Sequence, residues 1–378
     1  MGTEMLSTYH SVACEPRRQD GGWENESVES PVPGEDQHRW GIILAGGDGR
    51  RLQHFLKVQY GLESPKQFCA LVGTRSMLQH TIDRARLVIP NERIVTVITR
   101  HHLTCAAGSL SDRPAGTLIV QPQNRETGPA ILLPLLHIYR SDPQARIAVF
   151  PSDHFVYKEE RFMEYVRAAF DCSDTLPGYV YLLAVPARKP EEGYGWIVPG
   201  DPLEDCPGTG LYRVKRFVEK PSAQRASEVR WSDYFWNTFT MVGRASAFVD
   251  LARLMMPSVY ELTERIVDAT GTSHAEEVAE EVYRTLPPVS FSRAVLEQSA
   301  EYISMIPVRG VYWSDWGVES RIRSDFEKFR LPHPSRPDLS EVRPHATDEN
   351  WHCKSEVSQE LCPSRPSEIV TDQVLKLS

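Results

Sequence analysis

A chain of 378 residues, 41% apolar and 25% charged with a formal net charge of −9, is long enough to bury a core in one large or two modest domains. It lacks the basic excess of a nucleic-acid binder and any apolar run near the ~18 residues of a membrane helix, and its N-terminus is not patterned as a secretory signal. Its seven cysteines are widely spaced with no C-x-x-C pair; they signal neither a disulfide framework nor a zinc site and fit the reduced thiols of a cytoplasmic protein.

Residues 1–38 are polar, acidic and rich in Gly, Pro, Ser and Glu, which predicts a disordered N-terminal extension, and the proline-rich 331–378 predicts a disordered C-terminal tail. The folded unit is expected over 39–330, with no internal repeat. In chain order, WGIILA (40–45) predicts a buried strand running into a glycine turn at 46–49. The spacing of 77, 78, 82, 85 and 88 predicts a helix over 76–88. RIVTVIT (93–99) and TLIVQ (117–121) are two more strands, and Thr127–Gly128–Pro129 opens a helix reaching about 139, kinked at Pro134. RIAVF (146–150) is a fourth strand, and 303–308 reads as another near the end. Apolar strands alternating with helices predict an α/β fold, a Rossmann-like, mostly parallel central sheet flanked by helices, with ligands outside the carboxyl ends of the strands.

The residues at those strand ends carry the chemistry. Gly46, Gly47 and Gly49 allow close backbone approach and turn amides toward phosphate oxygens, and Arg50 and Arg51 follow as a clamp for a polyphosphate. A tight turn that only needs glycine is the competing reading. The spacing is not that of a P-loop, and Leu52 stands where a dinucleotide fingerprint needs its third glycine, which sets aside an NAD-linked oxidoreductase. Lys66 follows in Pro65–Lys66–Gln67–Phe68, either solvated or reaching the same phosphates. The third strand ends in QPQNRETGP, where Gln121 and Asn124 offer paired donors and acceptors suited to a base edge, or simply a polar loop. The fourth ends in Phe150–Pro151–Ser152–Asp153–His154, and a second carboxylate, Asp315, lies in WSDWG. Magnesium prefers one or two carboxylates with phosphate and water, whereas Asp153 as a helix cap is the plainer role. His154 has no His or Cys partner at metal spacing and is read as structural.

Together these segments resemble the sugar-phosphate nucleotidyltransferase family, its mannose-1-phosphate guanylyltransferase branch in particular. LAGGDGRRL is similar to the family signature L-A-G-G-x-G-x-R-L, and PKQF, QPQNRETGPAI, PSDH, YGWI, FVEKP, FWNTF and WSDWG follow in the family's order across 40–330. The resemblance implies a nucleotide-diphospho-sugar transferase fold in which Leu44, Ala45, Gly46, Gly47, Gly49, Gln121 and Asn124 hold the nucleotide. It implies Arg51 and Lys66 as the catalytic cations, and Asp153 and Asp315 as ligands of Mg²⁺. Gly195, Glu219, Lys220 and Asn237 would hold the sugar phosphate. The implied reaction joins an NTP, most closely GTP, to a hexose 1-phosphate such as mannose 1-phosphate, giving GDP-mannose and pyrophosphate. Another hexose-1-phosphate transferase, or a non-catalytic sugar-nucleotide-binding homologue, shares most of these motifs. Partners are expected to be small molecules, with no nucleic acid and no membrane; a homo-oligomer stays open.

The sequence departs from the family at Gln121, usually glutamate, and at Asn237–Thr238–Phe239, where W-N-S-G is common. QHFLKVQYGLES separates Arg51 from Pro65 where a compact basic loop is usual. No phosphomannose isomerase or left-handed β-helix segment is recognisable beyond 330, so a single-activity enzyme is expected.

Overall fold

The structure, a computed structural model, describes residues 37–206, 208–228 and 230–332. The predicted tails therefore lie outside the described residues, apart from their innermost positions. His38 binds Asp142 through Nδ1 at 2.8 Å, and Leu331 is buried.

The chain begins with β1 (Arg39–Leu44), α1 (Arg50–Tyr60), α2 (Met77–Arg86), β2 (Ile94–Thr99), α3 (Leu103–Leu110) and β3 (Leu118–Gln121). It continues through α4 (Thr127–Ser141), β4 (Arg146–Pro151), β5 (Phe155–Tyr157), α5 (Glu159–Thr175), β6 (Val180–Pro186), β7 (Gly195–Pro202) and β8 (Tyr212–Glu219). The remainder is α6 (Ala223–Glu228), β9 (Phe235–Arg244), α7 (Ala245–Met255), α8 (Pro257–Ala269), α9 (Ala275–Thr285), β10 (Ile303–Pro307), β11 (Tyr312–Ser314) and α10 (Glu319–Phe329).

The main sheet runs β3-β2-β1-β4-β9-β6-β10-β8-β7. Pairings within β3-β2-β1-β4 and between β6 and β10 are parallel, as the unbroken apolar runs imply. The sheet is mixed, however: β9 lies antiparallel between β4 and β6, and β8 and β7 are antiparallel to their neighbours. FWNTFTMVGR is buried along most of its length, so its composition does not reveal its direction.

Period-two alternation divides the strand side chains between two cores. Ile42, Val97, Ile147, Val149 and Leu182 face a cluster that includes residues of α4, α7, α8 and α9. Ile43, Ile98, Ala148, Phe150 and Leu183 face one that includes residues of α2, α3 and α5. A third, smaller core joins α1 to α10 through Leu52, Phe55, Leu56 and Tyr60 on one side and Trp316, Ile322 and Phe326 on the other. It places the helix that follows the glycine turn against the helix that follows Asp315.

Local signals account for the element ends. Ser76 and Gln79 form a capping box at the start of α2, and α1 is framed by Gly49 and Gly61 at φ 60° and 70°. Helix α4 runs continuously through Pro134. Gly128 at its start is dictated by contact: a Cβ there would lie 2.7 Å from the Val289 carbonyl oxygen, which accepts the Gly128 N–H. Gly108, exposed on α3, has no heavy atom within 4 Å of a built Cβ. Gly128→Ala is expected to lower stability by about 1–3 kcal/mol in denaturant melts, and Gly108→Ala to raise it by about 0.5–1 kcal/mol. Equal effects at the two positions would contradict this packing.

Candidate active site

The glycine turn leaves β1 with Ala45 buried and Gly47 exposed, the latter with open space around a built Cβ. Gly49 adopts φ 60° and abuts Pro65 and Lys66. The turn is fixed from below by Gln67, whose Nε2 donates to the Ala45 carbonyl at 3.1 Å and to the Gly47 carbonyl at 2.6 Å. With those carbonyls tied inward, the exposed edge of the turn and the N-terminus of α1 are left to present N–H groups outward. Arg51, in the first turn of α1, is exposed and makes no ion pair among the described residues; Arg50 lies 3.4 Å from Asp48.

Lys66 is buried, contrary to a solvated role, with 3% relative exposure. Its Nζ lies 3.0 Å from Asp153 Oδ2 and donates to the backbone carbonyls of Asp315 at 2.5 Å and Trp316 at 3.0 Å. One ammonium thus joins the segment behind the glycine turn to both predicted aspartates. The aspartates converge because β5 and β11 form an antiparallel ribbon, with Ser314 opposite Phe155, so the residues flanking it at one end are Asp153–His154 and Asp315–Trp316.

Asp315 is held tightly. Its Oδ1 accepts from Tyr194 Oη at 3.2 Å, from the Gly317 amide at 3.0 Å and from Arg321. Arg321 also pairs with Glu191 at 2.6 Å and lies over the Tyr194 ring. Burial alone would raise the Asp315 carboxyl, but His154, Arg321, the Gly317 amide and Lys66 hold it below the ordinary value. Burial, then Asp315 itself, pushes the Tyr194 phenol up, so it stays protonated and donates. Asp315 Oδ2 carries no hydrogen bond among the described residues, and a Cβ on Gly317 would collide with it. Two carboxylates, one with an oxygen free of hydrogen bonds, are hard oxygen donors that fit Mg²⁺. His154 packs edge-on against Trp313, with Nδ1 near Thr238 O and Trp313 Nε1, in keeping with a structural role.

The remaining candidates extend from this centre. The Gln121 side chain is buried beside Gly46, with Nε2 donating to the Tyr283 hydroxyl at 2.7 Å, while exposed Asn124 accepts from the Glu126 amide at 2.9 Å. Tyr194, which touches Asp315, accepts the Lys220 amide through its carbonyl at 3.0 Å. Lys220 Nζ pairs with Glu219 at 3.2 Å. Gly195 is opposite Glu219 across β7 and β8, and a Cβ there would lie 2.6 Å from Phe217 and 2.9 Å from Glu219 Oε2. Asn237, buried on β9, accepts from the Phe239 amide at 3.1 Å. Phe239, at the position where the family motif has glycine, takes φ 60°. Glu126, Lys220 and Trp316 also take positive φ, as do Lys158 and Arg330 at the ends of α5 and α10. Each such residue costs on the order of 1–3 kcal/mol and persists where the surroundings overdetermine it.

Sequence reasoning assigned no role to Gln67, Tyr194, Arg321 or Glu297, whose Oε1 accepts the Glu219 amide at 2.6 Å. Gln67 and Tyr194 do sit inside or beside quoted motifs; Arg321 and Glu297 carry no local signal.

The nucleotidyl transferase family profile matches residues 40–328, and the chain belongs to that family. Over 284 residues it is 30% identical to the mannose-1-phosphate guanylyltransferase of Klebsiella pneumoniae, covering 74% of this chain and 58% of that one. It is 31% identical over 286 residues to the xanthan biosynthesis protein XanB of Xanthomonas campestris, again covering 74% and 58%. The chain thus spans just under three-fifths of the length of these curated relatives. A solved structure described as mannose-1-phosphate geranyltransferase, from Thermus thermophilus, is 29% identical with a TM-score of 0.64 over 76% of this chain and 80% of that one. A Helicobacter pylori structure described as mannose-6-phosphate isomerase, 23% identical with a TM-score of 0.58 over 73% and 99%, shares the fold. Among the described residues no helix is long and apolar enough to cross a membrane.

Gln67→Leu would leave the Ala45 and Gly47 carbonyls without their buried donor. A loss of about 1–3 kcal/mol is expected in denaturant melts; an unchanged midpoint and slope would show that Gln67 does not hold the turn.

Proposed function

We propose that this chain transfers a nucleoside monophosphate from an NTP to a hexose 1-phosphate, with GTP and mannose 1-phosphate as the substrates and GDP-mannose and pyrophosphate as the products. The observation that carries the reading is the single junction at which Lys66 joins the glycine-turn segment to Asp153 and Asp315. The names of the guanylyltransferase relatives support the choice of substrates.

The nucleophile needs little activation. A sugar phosphate, with a second pKa near ~6, is largely dianionic at neutral pH, so no general base is required. The obstacle is the approach of two anions, and it is met by positioning and charge neutralisation. The Gly46–Gly49 backbone and the N-terminus of α1 would receive the triphosphate, with Arg51 beside the departing pyrophosphate. Leu44, Ala45, Gln121 and Asn124 would border the nucleoside. Gly195, Glu219, Lys220 and Asn237 would hold the sugar phosphate, Lys220 on the phosphate and Glu219 on hydroxyls. A sugar-phosphate oxygen then bonds to the α-phosphorus as the α–β bridging P–O bond breaks, and that electron pair leaves with pyrophosphate. Asp153 and Asp315 would hold Mg²⁺, which supplies positive charge to the reacting phosphates. Lys66 keeps both aspartates in place and adds charge behind them.

Pyrophosphate release across a matrix of nucleoside triphosphates and hexose 1-phosphates tests the assignment. GTP with mannose 1-phosphate is expected to give the highest kcat/KM. Arg51→Ala is expected to lower that turnover by on the order of 10²-fold, and Asp153→Asn to abolish it in a chain that still folds but melts lower, because buried Lys66 loses its counter-charge. Release of no pyrophosphate with any pair would defeat the proposal; near-normal turnover of Arg51→Ala would remove that residue from the chemistry.

A further inference from the structure

Beside the glycine turn stands a group of side chains that the proposed transfer does not use. Asp48 projects from the turn toward the end of β2, where His101 and His102 follow Thr99. His101 Nε2 lies 3.1 Å from Asp48 Oδ1, and His102 Nε2 lies 4.0 Å from the same oxygen. The two imidazoles pack with centroids 4.0 Å apart, and donor atoms of all three residues fall within 4.8 Å of one another.

His102 is the informative member. Its side chain is 4% exposed, with Phe68 edge-on against the ring, yet Nε2 makes no hydrogen bond among the described residues. Nδ1 meets Thr99 Oγ1 at 2.9 Å. The Thr99 hydroxyl fixes the ring with Nε2 toward Asp48 and His101, and with Nδ1–H donating to that hydroxyl Nε2 would carry the lone pair, as an outer partner arranges for a metal-bound histidine. A buried imidazole whose Nε2 stands 4.0 Å from a carboxylate oxygen, beyond hydrogen-bond reach, is poorly explained as an ion pair.

We propose that Asp48, His101 and His102 form a site for a divalent transition ion of the Zn²⁺ or Co²⁺ class. Around a tetrahedral ion with bonds of about 2.0–2.1 Å, ligand atoms stand roughly 3.4 Å apart. The His101–Asp48 separation already meets that spacing, and the His102–Asp48 separation needs closure by well under 1 Å. Two imidazole nitrogens select such ions over Mg²⁺, which suits the oxygen donors of Asp153 and Asp315. Three protein ligands leave a fourth position open. Because Asp48 lies between Gly47 and Gly49, the ion would tie the glycine turn to the end of β2 in place of the 3.4 Å Arg50–Asp48 pair.

The test uses the full chain stripped with EDTA and titrated with Zn²⁺ by calorimetry and with Co²⁺ by visible absorption, in parallel with His101→Ala and Asp48→Asn. His101 is 56% exposed, so its replacement leaves the core intact. The wild-type chain is expected to bind one Zn²⁺ at this site with micromolar affinity or better and to show d–d bands with Co²⁺. Each variant should weaken that event at least tenfold, and Zn²⁺ should raise the melting temperature of the wild-type chain but not of His101→Ala. Absence of wild-type binding below about 100 μM metal, or affinities within threefold in both variants, would overturn the proposal. The latter result would place any bound ion on other cysteine or histidine residues.

Discussion

The arrangement depends on one buried ammonium. Lys66, 3% exposed, sits where a lone charge would be strongly disfavoured, and it is accommodated because Asp153 supplies a counter-charge and the Asp315 and Trp316 carbonyls accept its protons. Satisfying that charge requires three stretches of chain, distant in sequence, to meet at one place. Its neighbour Gln67 extends the same tie to the glycine turn. The polar requirement of one side chain becomes the geometry of the site.

Apolar packing brings the partners within reach. The core shared by α1 and α10 docks the helix after the glycine turn against the helix after Asp315, and the β5–β11 ribbon sets the two aspartate segments side by side. Trp316, fully buried, stacks on Phe155 at 4.6 Å and donates through Nε1 to Asp325, which helps hold its left-handed backbone. Its carbonyl is one of those that Lys66 requires. Positive φ at Lys220 and Trp316 falls at or beside candidate residues, whereas at Lys158 and Arg330 it falls at helix ends.

Much of the sheet was legible because β1 to β4 are covered on both faces and read as continuous apolar runs, and α2 was legible from the helical spacing of its apolar residues at 77, 78, 82 and 85. The glycine turn was legible from its three closely spaced glycines, of which Gly49 takes φ 60°. The helix α1 was not: its apolar positions 52, 55, 56 and 60 follow two arginines and a glycine cap with no side-chain capping signal. Burial of Lys66 was illegible for a different reason, since it depends on partners 87 and about 250 residues away. Nor did local pattern show that β9 enters antiparallel, or that Arg321 and Tyr194 would grip Asp315. Such facts belong to tertiary pairing rather than to propensity.

The most direct measurement of this account is amide hydrogen exchange on the Lys66→Met chain beside the wild type. Methionine fills the buried volume without the charge, and Asp153, about one-third exposed, can hydrate. Protection is expected to fall selectively at the Trp316 and Gly317 amides and around Asp153–Phe155, with β1 and β4 keeping theirs. Unchanged protection in those segments, or an equal loss throughout the sheet, would contradict the claim that this ammonium holds the site together.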